Sequence, residues 1–273
     1  MTTNLIEAKD LTKHFPLNTG WFQEKKVVKA VNGISFTIKA GETFGLVGES
    51  GCGKSTTGRL LNGLIPLDFG TLLFKGKDLS KASKSEWKKY RPKMQMVFQD
   101  PYASLSPRMK IKEILREPLD IHHKNMSSAE KNKRVEDLLD KCGISKFHLN
   151  KYPHEFSGGQ RQRISIARAL ILKPELIIAD EPVSALDVSI QSQILNLMKD
   201  LQEEYNLTYL FISHDLSVVE HISDRVGVMY FGNLVEVATK EELFTNPQHD
   251  YTKTLLSSIP QMVPKAKRKN NEA

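Results

Sequence analysis

Three features of this 273-residue sequence predict an α/β fold. A glycine-rich loop, GESGCGKST at residues 48–56, follows a strand-like run and opens a helix-patterned one. Two runs, ELIIAD and LTYLFIS, are continuously apolar rather than alternating, so they read as strands buried on both faces of a parallel sheet. Between them Leu186, Ile190, Ile194 and Leu197 recur at spacings of four, four and three, which is one face of a helix.

The remaining elements follow in order. AVNGISFTIKAGETFGLVG alternates at Ile34, Phe36 and Ile38, turns at residues 39–42 and resumes into Gly48, so it reads as a hairpin feeding the glycine loop. KSTTGRLLNGL reads as a helix closed near Gly63, and GTLLFKGKDL as a strand pair or sheet edge. From about Asp100 to Lys151 the chain is polar and helix-patterned, as in IKEILREPL and EKNKRVEDLLDKCGI, without a buried strand; it reads as a helical insertion. The helix within HEFSGGQRQRISIARAL must end before Lys173-Pro174, because the residue before proline avoids helical geometry. A short strand pair in RVGVMYFGNLVEV and a terminal helix from EELF onward complete the chain.

Composition narrows the class. With 40% apolar residues the chain can bury an ordinary core, and no window approaches the roughly 18 uncharged apolar residues of a membrane span. Two cysteines, Cys52 and Cys142, are too few for a disulfide framework or a zinc site, which suits a reducing compartment. A net charge of +7 permits an anionic partner without choosing one. The C-terminal PKAKRKNNEA reads as a solvated basic tail, whose cations would each contribute about 1 kcal/mol if held near an anionic leaflet.

The loop matches the pattern G-x4-G-K-S at Gly48, Gly53, Lys54 and Ser55, between a strand and a helix as its mechanism requires. Its backbone N–H groups, from Gly48, Glu49, Ser50, Gly51, Cys52 and Gly53 into Thr56, would wrap phosphate. Lys54 would bridge the β- and γ-phosphates, and the Ser55 hydroxyl would ligate Mg²⁺. Such a site needs a carboxylate at the end of another buried strand. Asp180 supplies it, and Glu181 is placed to polarise an attacking water. Gln99, after MQMVF, would reach the metal and that water; His214, after LTYLFIS, would donate to the γ-phosphate. Cys52 sits at a helix N-terminus, where thiol pKa values are often lowered; it is either an accessible thiol that a bound nucleotide would protect from maleimide or a small filler.

HEFSGGQRQR presents a second anion site. Ser157 and Gln160 form a capping box, which explains how a helix starts there. Gly158 and Gly159 are not explained by capping, since glycine in a first turn costs about 1 kcal/mol relative to alanine. Their use is predicted to be close approach of a phosphate to the backbone.

In order, GESGCGKST, VFQD, FSGGQ, LIIADEP, SALD and FISHD resemble the nucleotide-binding motifs of ATP-binding cassette (ABC) ATPases over essentially the whole chain. The resemblance implies a RecA-like P-loop core with an antiparallel β-subdomain and a helical subdomain, about residues 101–165, inside residues 1–240. A C-terminal extension with the basic tail would occupy 241–273. It implies a head-to-tail dimer with ATP between one chain's P-loop and the other's Ser157, Gly158, Gly159 and Gln160, with Asp187 at the interface. Phe15 matches the aromatic that stacks on adenine, with Trp21 or Phe22 of the inserted PLNTGWFQEKKV as the alternatives.

VFQDPYASLSPRMKIKEILREPL and NPQHDYTKTLLSSIP are similar to oligopeptide and dipeptide importer ATPases, the first closer to their second (F) subunit than to the D subunit. Asp250 replaces the proline of the family's usual His-Pro-Tyr. The resemblance implies a peripheral subunit on the cytoplasmic face of the membrane. Its partners would be a D-type paralogue, two transmembrane permeases contacted through residues 99–109 near Tyr102, and indirectly an extracytoplasmic solute-binding protein. Nickel and metallophore importers use related subunits, so the solute stays open. A nucleic-acid-associated cassette would carry two cassettes or zinc insertions, which are absent here, and a non-hydrolysing regulatory module would not need Glu181 and His214.

Overall fold

The computed structural model describes residues 3–16 and 27–257. Along the chain run β1 (Asn4–Pro16), β2 (Val27–Lys39), β3 (Thr43–Val47), α1 (Lys54–Leu61), β4 (Phe69–Phe74), β5 (Lys77–Asp78), α2 (Lys84–Tyr90) and β6 (Met94–Val97). The helical segment α3 (Pro101–Ser104), α4 (Ile111–His122) and α5 (Ser128–Lys141) leads into α6 (Gly158–Leu170). Then come β7 (Leu176–Asp180), α7 (Val188–Tyr205), β8 (Thr208–Ile212), α8 (Leu216–Ile222), β9 (Arg225–Tyr230), β10 (Asn233–Thr239), α9 (Lys240–Thr245) and α10 (Asp250–Ser257).

The strands form two sheets. One is antiparallel, in the order β2-β1-β4-β5. The other has the order β10-β9-β3-β8-β7-β6, parallel throughout except for the β9–β10 pair. Its central strands face two cores. From β7, Ile177 and Ala179 join the core shared with the helical segment, while Leu176 and Ile178 join the core shared with the antiparallel sheet. On β8, Tyr209 and Phe211 face the first core, Leu210 and Ile212 the second. Burial on both faces is why these runs are apolar without alternation.

Residues 27–47 are not the expected hairpin. β2 pairs with β1, whereas β3 pairs with β8 and β9, so the turn at 39–42 is a corner between sheets. Glu42 fixes the corner: its carboxylate accepts from the Lys39 N–H at 2.6 Å and from Arg225 at 3.1 Å, and Gly41 takes a φ of +81°. β9 and β10 do form a hairpin, through a two-residue turn at Phe231 and Gly232 with φ of +43° and +79°. The predicted terminal helix is broken in two at residues 246–249, where Pro247 disfavours helical geometry at Asn246. Leu186 precedes α7 rather than lying in it, but it packs beside Ile190 against the same core.

The helical segment closes on its own apolar face. Ile111, Ile114, Leu115 and Leu119 of α4 meet Val135, Leu138 and Leu139 of α5 and Ile164 of α6 in one core. Among the described residues no helix is long and apolar enough to cross a membrane.

Candidate nucleotide site

The parallel sheet aligns its carboxyl ends. β3 pairs Leu46 with Ile212, β7 pairs Asp180 with Ile212, and β6 pairs Val97 with Ala179. The residues at or just beyond those ends, Gly48, Gln99, Asp180, Glu181 and His214, therefore emerge along one edge, where open α/β sheets bind ligands. Ser50, Gly51, Gly53, Lys54, Ser55, Thr56, Gln99, Glu181 and His214 line one cleft of about 390 Å³ there.

The glycine loop has steric reasons for its composition. Gly48 has φ +147°, and a Cβ on it would lie 2.2 Å from the Met229 carbonyl oxygen; Gly53 has φ +111°, and a Cβ there would lie 2.0 Å from that of Ala30. Any side chain at either position would push the loop off β2 and β9. Lys54, only 4% exposed, donates from Nζ to the carbonyls of Gly48 at 2.7 Å and Glu49 at 2.8 Å. The ammonium is thus curled into its own loop, and α1 begins at that residue with first-turn N–H groups that no helical carbonyl can reach.

Behind the loop, the Ser55 hydroxyl donates to Asp180 Oδ1 at 2.7 Å. Burial raises the Asp180 pKa, and that outweighs the lowering effects of the Ser55 hydrogen bond and of Arg59 and Lys54. Two hard oxygen donors side by side suit Mg²⁺, which typically takes few protein ligands and completes its shell with water and phosphate. Among the described residues no cluster of three or more His, Cys, Asp or Glu forms a metal cage, so the phosphates themselves would have to complete such a site.

Glu181 stands in the left-handed region at φ +48°, its N–H held by the Ile212 carbonyl at 2.9 Å. A non-glycine residue there stores roughly 1–3 kcal/mol of strain, a feature that clusters at functional sites. Its Oε2 accepts from Gln99 Nε2 at 3.0 Å and lies 3.0 Å from His214 Nδ1. A carboxylate can only accept, so Nδ1 carries the proton. Donation from His214 to a phosphate therefore requires either the doubly protonated ring or release of Glu181.

Cys52 is a filler. It is 6% exposed, and burial pushes its thiol up despite the opposing charge of Lys54. Cys142 is fully buried and pushed up to about 12. Maleimide is expected to label the native chain slowly, with or without ATP, and fully after denaturation; rapid native labelling that ATP blocks would contradict this.

Ser157 and Gln160 form the capping box: the Gln160 N–H donates to Ser157 Oγ at 3.3 Å and the Ser157 N–H to Gln160 Oε1 at 3.0 Å. This segment does not line the P-loop cleft of its own chain. Its two glycines differ. A Cβ on Gly159 would meet Ile190 Cγ2 at 2.6 Å, whereas one on Gly158 would make ordinary contact with Leu186 at 3.4 Å. Packing against α7 gives Gly159 a steric reason beside the close-approach one, whereas Gly158 has the close-approach reason alone. Gly159→Ala is expected to destabilise the fold, since overpacking costs about 1–3 kcal/mol against a helix-propensity gain of about 1 kcal/mol. A denaturant melt in which Gly158→Ala stabilises by up to about 1 kcal/mol while Gly159→Ala destabilises would show it.

Phe15 lies near the end of β1, 39% exposed, paired with Val28 and with Lys13 Nζ 5.6 Å from its ring centre. Trp21, Phe22 and the basic tail lie outside the described residues. Asp187 is exposed at the start of α7. Glu49 departs from expectation: its N–H donates to Tyr251 Oη at 3.1 Å, so that donor faces the C-terminal helix. Tyr251 closes the stretch that resembles the family's His-Pro-Tyr, but nothing in that stretch names its partner.

The ABC transporter family matches residues 31–184, and the oligopeptide/dipeptide transporter C-terminal region matches residues 235–273. The chain is 59% identical over 259 residues to the oligopeptide transport ATP-binding protein AppF of Bacillus subtilis, covering 94% of this chain and 78% of that one. It is 52% identical over 264 residues to the dipeptide transport ATP-binding protein DppF of Escherichia coli, covering 97% and 79%. A dimeric ATP-binding cassette solved in a post-hydrolysis state with ADP and Pi superimposes with a TM-score of 0.76 at 29% identity, covering 86% of this chain and 98% of that one. With the phosphate loop, the acidic strand end and the helical insertion arranged as described, the chain belongs to the ABC transporter family of ATP-binding proteins.

Proposed function

We propose that this chain is the ATP-hydrolysing subunit of a peptide importer, peripheral to the cytoplasmic face of the membrane. The observation that carries the catalytic part is Glu181, strained, held by Gln99 and His214 and facing the P-loop cleft. In this reading Lys54 leaves the Gly48 and Glu49 carbonyls for the β- and γ-phosphates, and Gln99 and His214 hold the Glu181 carboxylate toward the attacking water. Water's oxygen bonds to the γ-phosphorus, the bond to the β,γ-bridging oxygen breaks, and the water proton passes to Glu181, leaving ADP and phosphate. Ser55 and Asp180 would hold Mg²⁺, which neutralises charge on the phosphates.

The peptide class rests on the named relatives and on the C-terminal match. Assembly as a head-to-tail pair with a second cassette is supported by the segment Ser157–Gln160, which lies away from its own P-loop at a helix start suited to anions. Docking to a permease is supported by a groove of about 170 Å³ where Phe98, Ser104, Pro118 and Arg168 meet between β6 and the helical segment. Arg168 donates to the Ser104 carbonyl at 2.9 Å and Arg161 stacks on the half-exposed Tyr102 ring at 5.3 Å, so this wall is tied to the helix that starts at Ser157. ATPase activity of the subunit reconstituted with its permeases, stimulated by a peptide-loaded binding protein, tests the reading. Stimulation by a nickel chelate instead of peptide would replace the solute class while keeping the motor.

A further inference from the structure

The C-terminal helix reaches back across the molecule to the phosphate loop, and we propose that Tyr251 is a positioning residue that holds this loop in shape for nucleotide. The Glu49 N–H donates to Tyr251 Oη at 3.1 Å, a contact between residues 202 apart in sequence. The carbonyl of the same residue accepts from Lys54 Nζ at 2.8 Å and from the Cys52 N–H at 3.3 Å. Glu49 is therefore gripped at both ends: Tyr251 fixes its N–H, and its carbonyl receives the ammonium that must move to phosphate.

The phenol is itself well placed. Its ring lies 4.0 Å, centre to centre, from that of Tyr230, the last residue of β9. The preceding residue, Met229, is the one whose carbonyl crowds Gly48. Behind it, Glu236 of β10 accepts the N–H groups of Gln248 at 2.8 Å and His249 at 3.0 Å, and His249 Nδ1 accepts the Tyr251 N–H at 3.1 Å. Strand β10, the turn before α10, Tyr251 and Glu49 form one continuous chain of contacts. Burial keeps the phenol above its ordinary range, so the hydroxyl is protonated at neutral pH.

The consequence is energetic preorganisation. A glycine-rich loop must be ordered when it closes on phosphate, and fixing one of its peptides beforehand lowers that cost. Tyr251→Phe keeps the ring on Tyr230 and removes only the hydroxyl. With one neutral hydrogen bond lost, Mg-ATP is expected to bind about three- to tenfold more weakly. KM for ATP should rise by a similar factor, while kcat at saturating ATP holds. Glu236→Gln, which touches the loop only through α10, should weaken binding in the same direction, and the double variant should lose less than the sum.

The proposal rests on the ATP-site reading, so the titration includes Lys54→Ala. Calorimetric titration of the full chain with Mg-ATP separates the outcomes. If Lys54→Ala loses binding and Tyr251→Phe does not, Tyr251 has no positioning role and the site stands. If neither variant binds more weakly, the site reading falls and the proposal with it. If Tyr251→Phe lowers kcat as much as it raises KM, or Glu236→Gln leaves affinity unchanged, the contact is structural only.

Discussion

Glu181→Gln is expected to bind ATP with unchanged affinity and to hydrolyse it about 10²- to 10⁴-fold more slowly, the usual worth of a positioned base. This corresponds to roughly 3–5 kcal/mol of barrier. The amide keeps the size and can still accept from Gln99 and His214 through its oxygen, so the strained backbone and the cleft should survive. What it loses is the capacity to take the water's proton. Single-turnover hydrolysis on the assembled dimer, with binding measured separately, distinguishes the two effects, and wild-type turnover would remove Glu181 from the base role.

Lys54→Ala should fail at an earlier step. Lys54 is 4% exposed, and its ammonium donates to the Gly48 and Glu49 carbonyls. In the proposed ATP complex those bonds to neutral carbonyls would be exchanged for bonds to phosphate in which both partners are charged, each worth about 1.5–3 kcal/mol. Each lost bond is therefore about one to two orders of magnitude in affinity. Because Ser55 and Asp180 remain, Mg-ATP binding should weaken strongly without the chain unfolding. Equilibrium titration beside a thermal melt tests this, and retained affinity would show that Lys54 is not the phosphate clamp.

Much of the site was legible because its chemistry sits at strand ends. Gln99, Asp180, Glu181 and His214 each follow a run whose apolar character marks a buried strand, so finding the strands located the residues. The Ser157 and Gln160 capping box is likewise local, three residues apart, and the structure contains it as read. What the sequence hid depends on distant partners. The turn at 39–42 has the chemistry of any tight turn, and only the pairing of β3 with β8 and β9 makes it a corner between sheets. The steric reason for Gly159 is not readable locally, because Ile190, whose methyl a Cβ there would meet, comes 31 residues later. The Tyr251 contact joins residues 202 apart, and although Tyr251 closes the stretch that resembles the family's His-Pro-Tyr, nothing in that stretch names the Glu49 N–H as its partner.

The difference between the two glycines sharpens the test of a shared site. Gly158 opens α6, and a Cβ there meets only Leu186 at an ordinary distance. A carboxylate in a helix's first turn is favourable by about 0.3–1 kcal/mol, so Gly158→Asp should fold at least as well as the unmodified chain. Facing a γ-phosphate it would instead repel. The most direct measurement is hydrolysis scored site by site in a mixed dimer carrying Gly158→Asp in one chain. The variant chain should still bind ATP at its own Lys54, while hydrolysis stops at the site where the other chain's P-loop holds ATP. Loss confined to the variant chain's own P-loop, or full activity at both sites, would contradict a site shared between two chains.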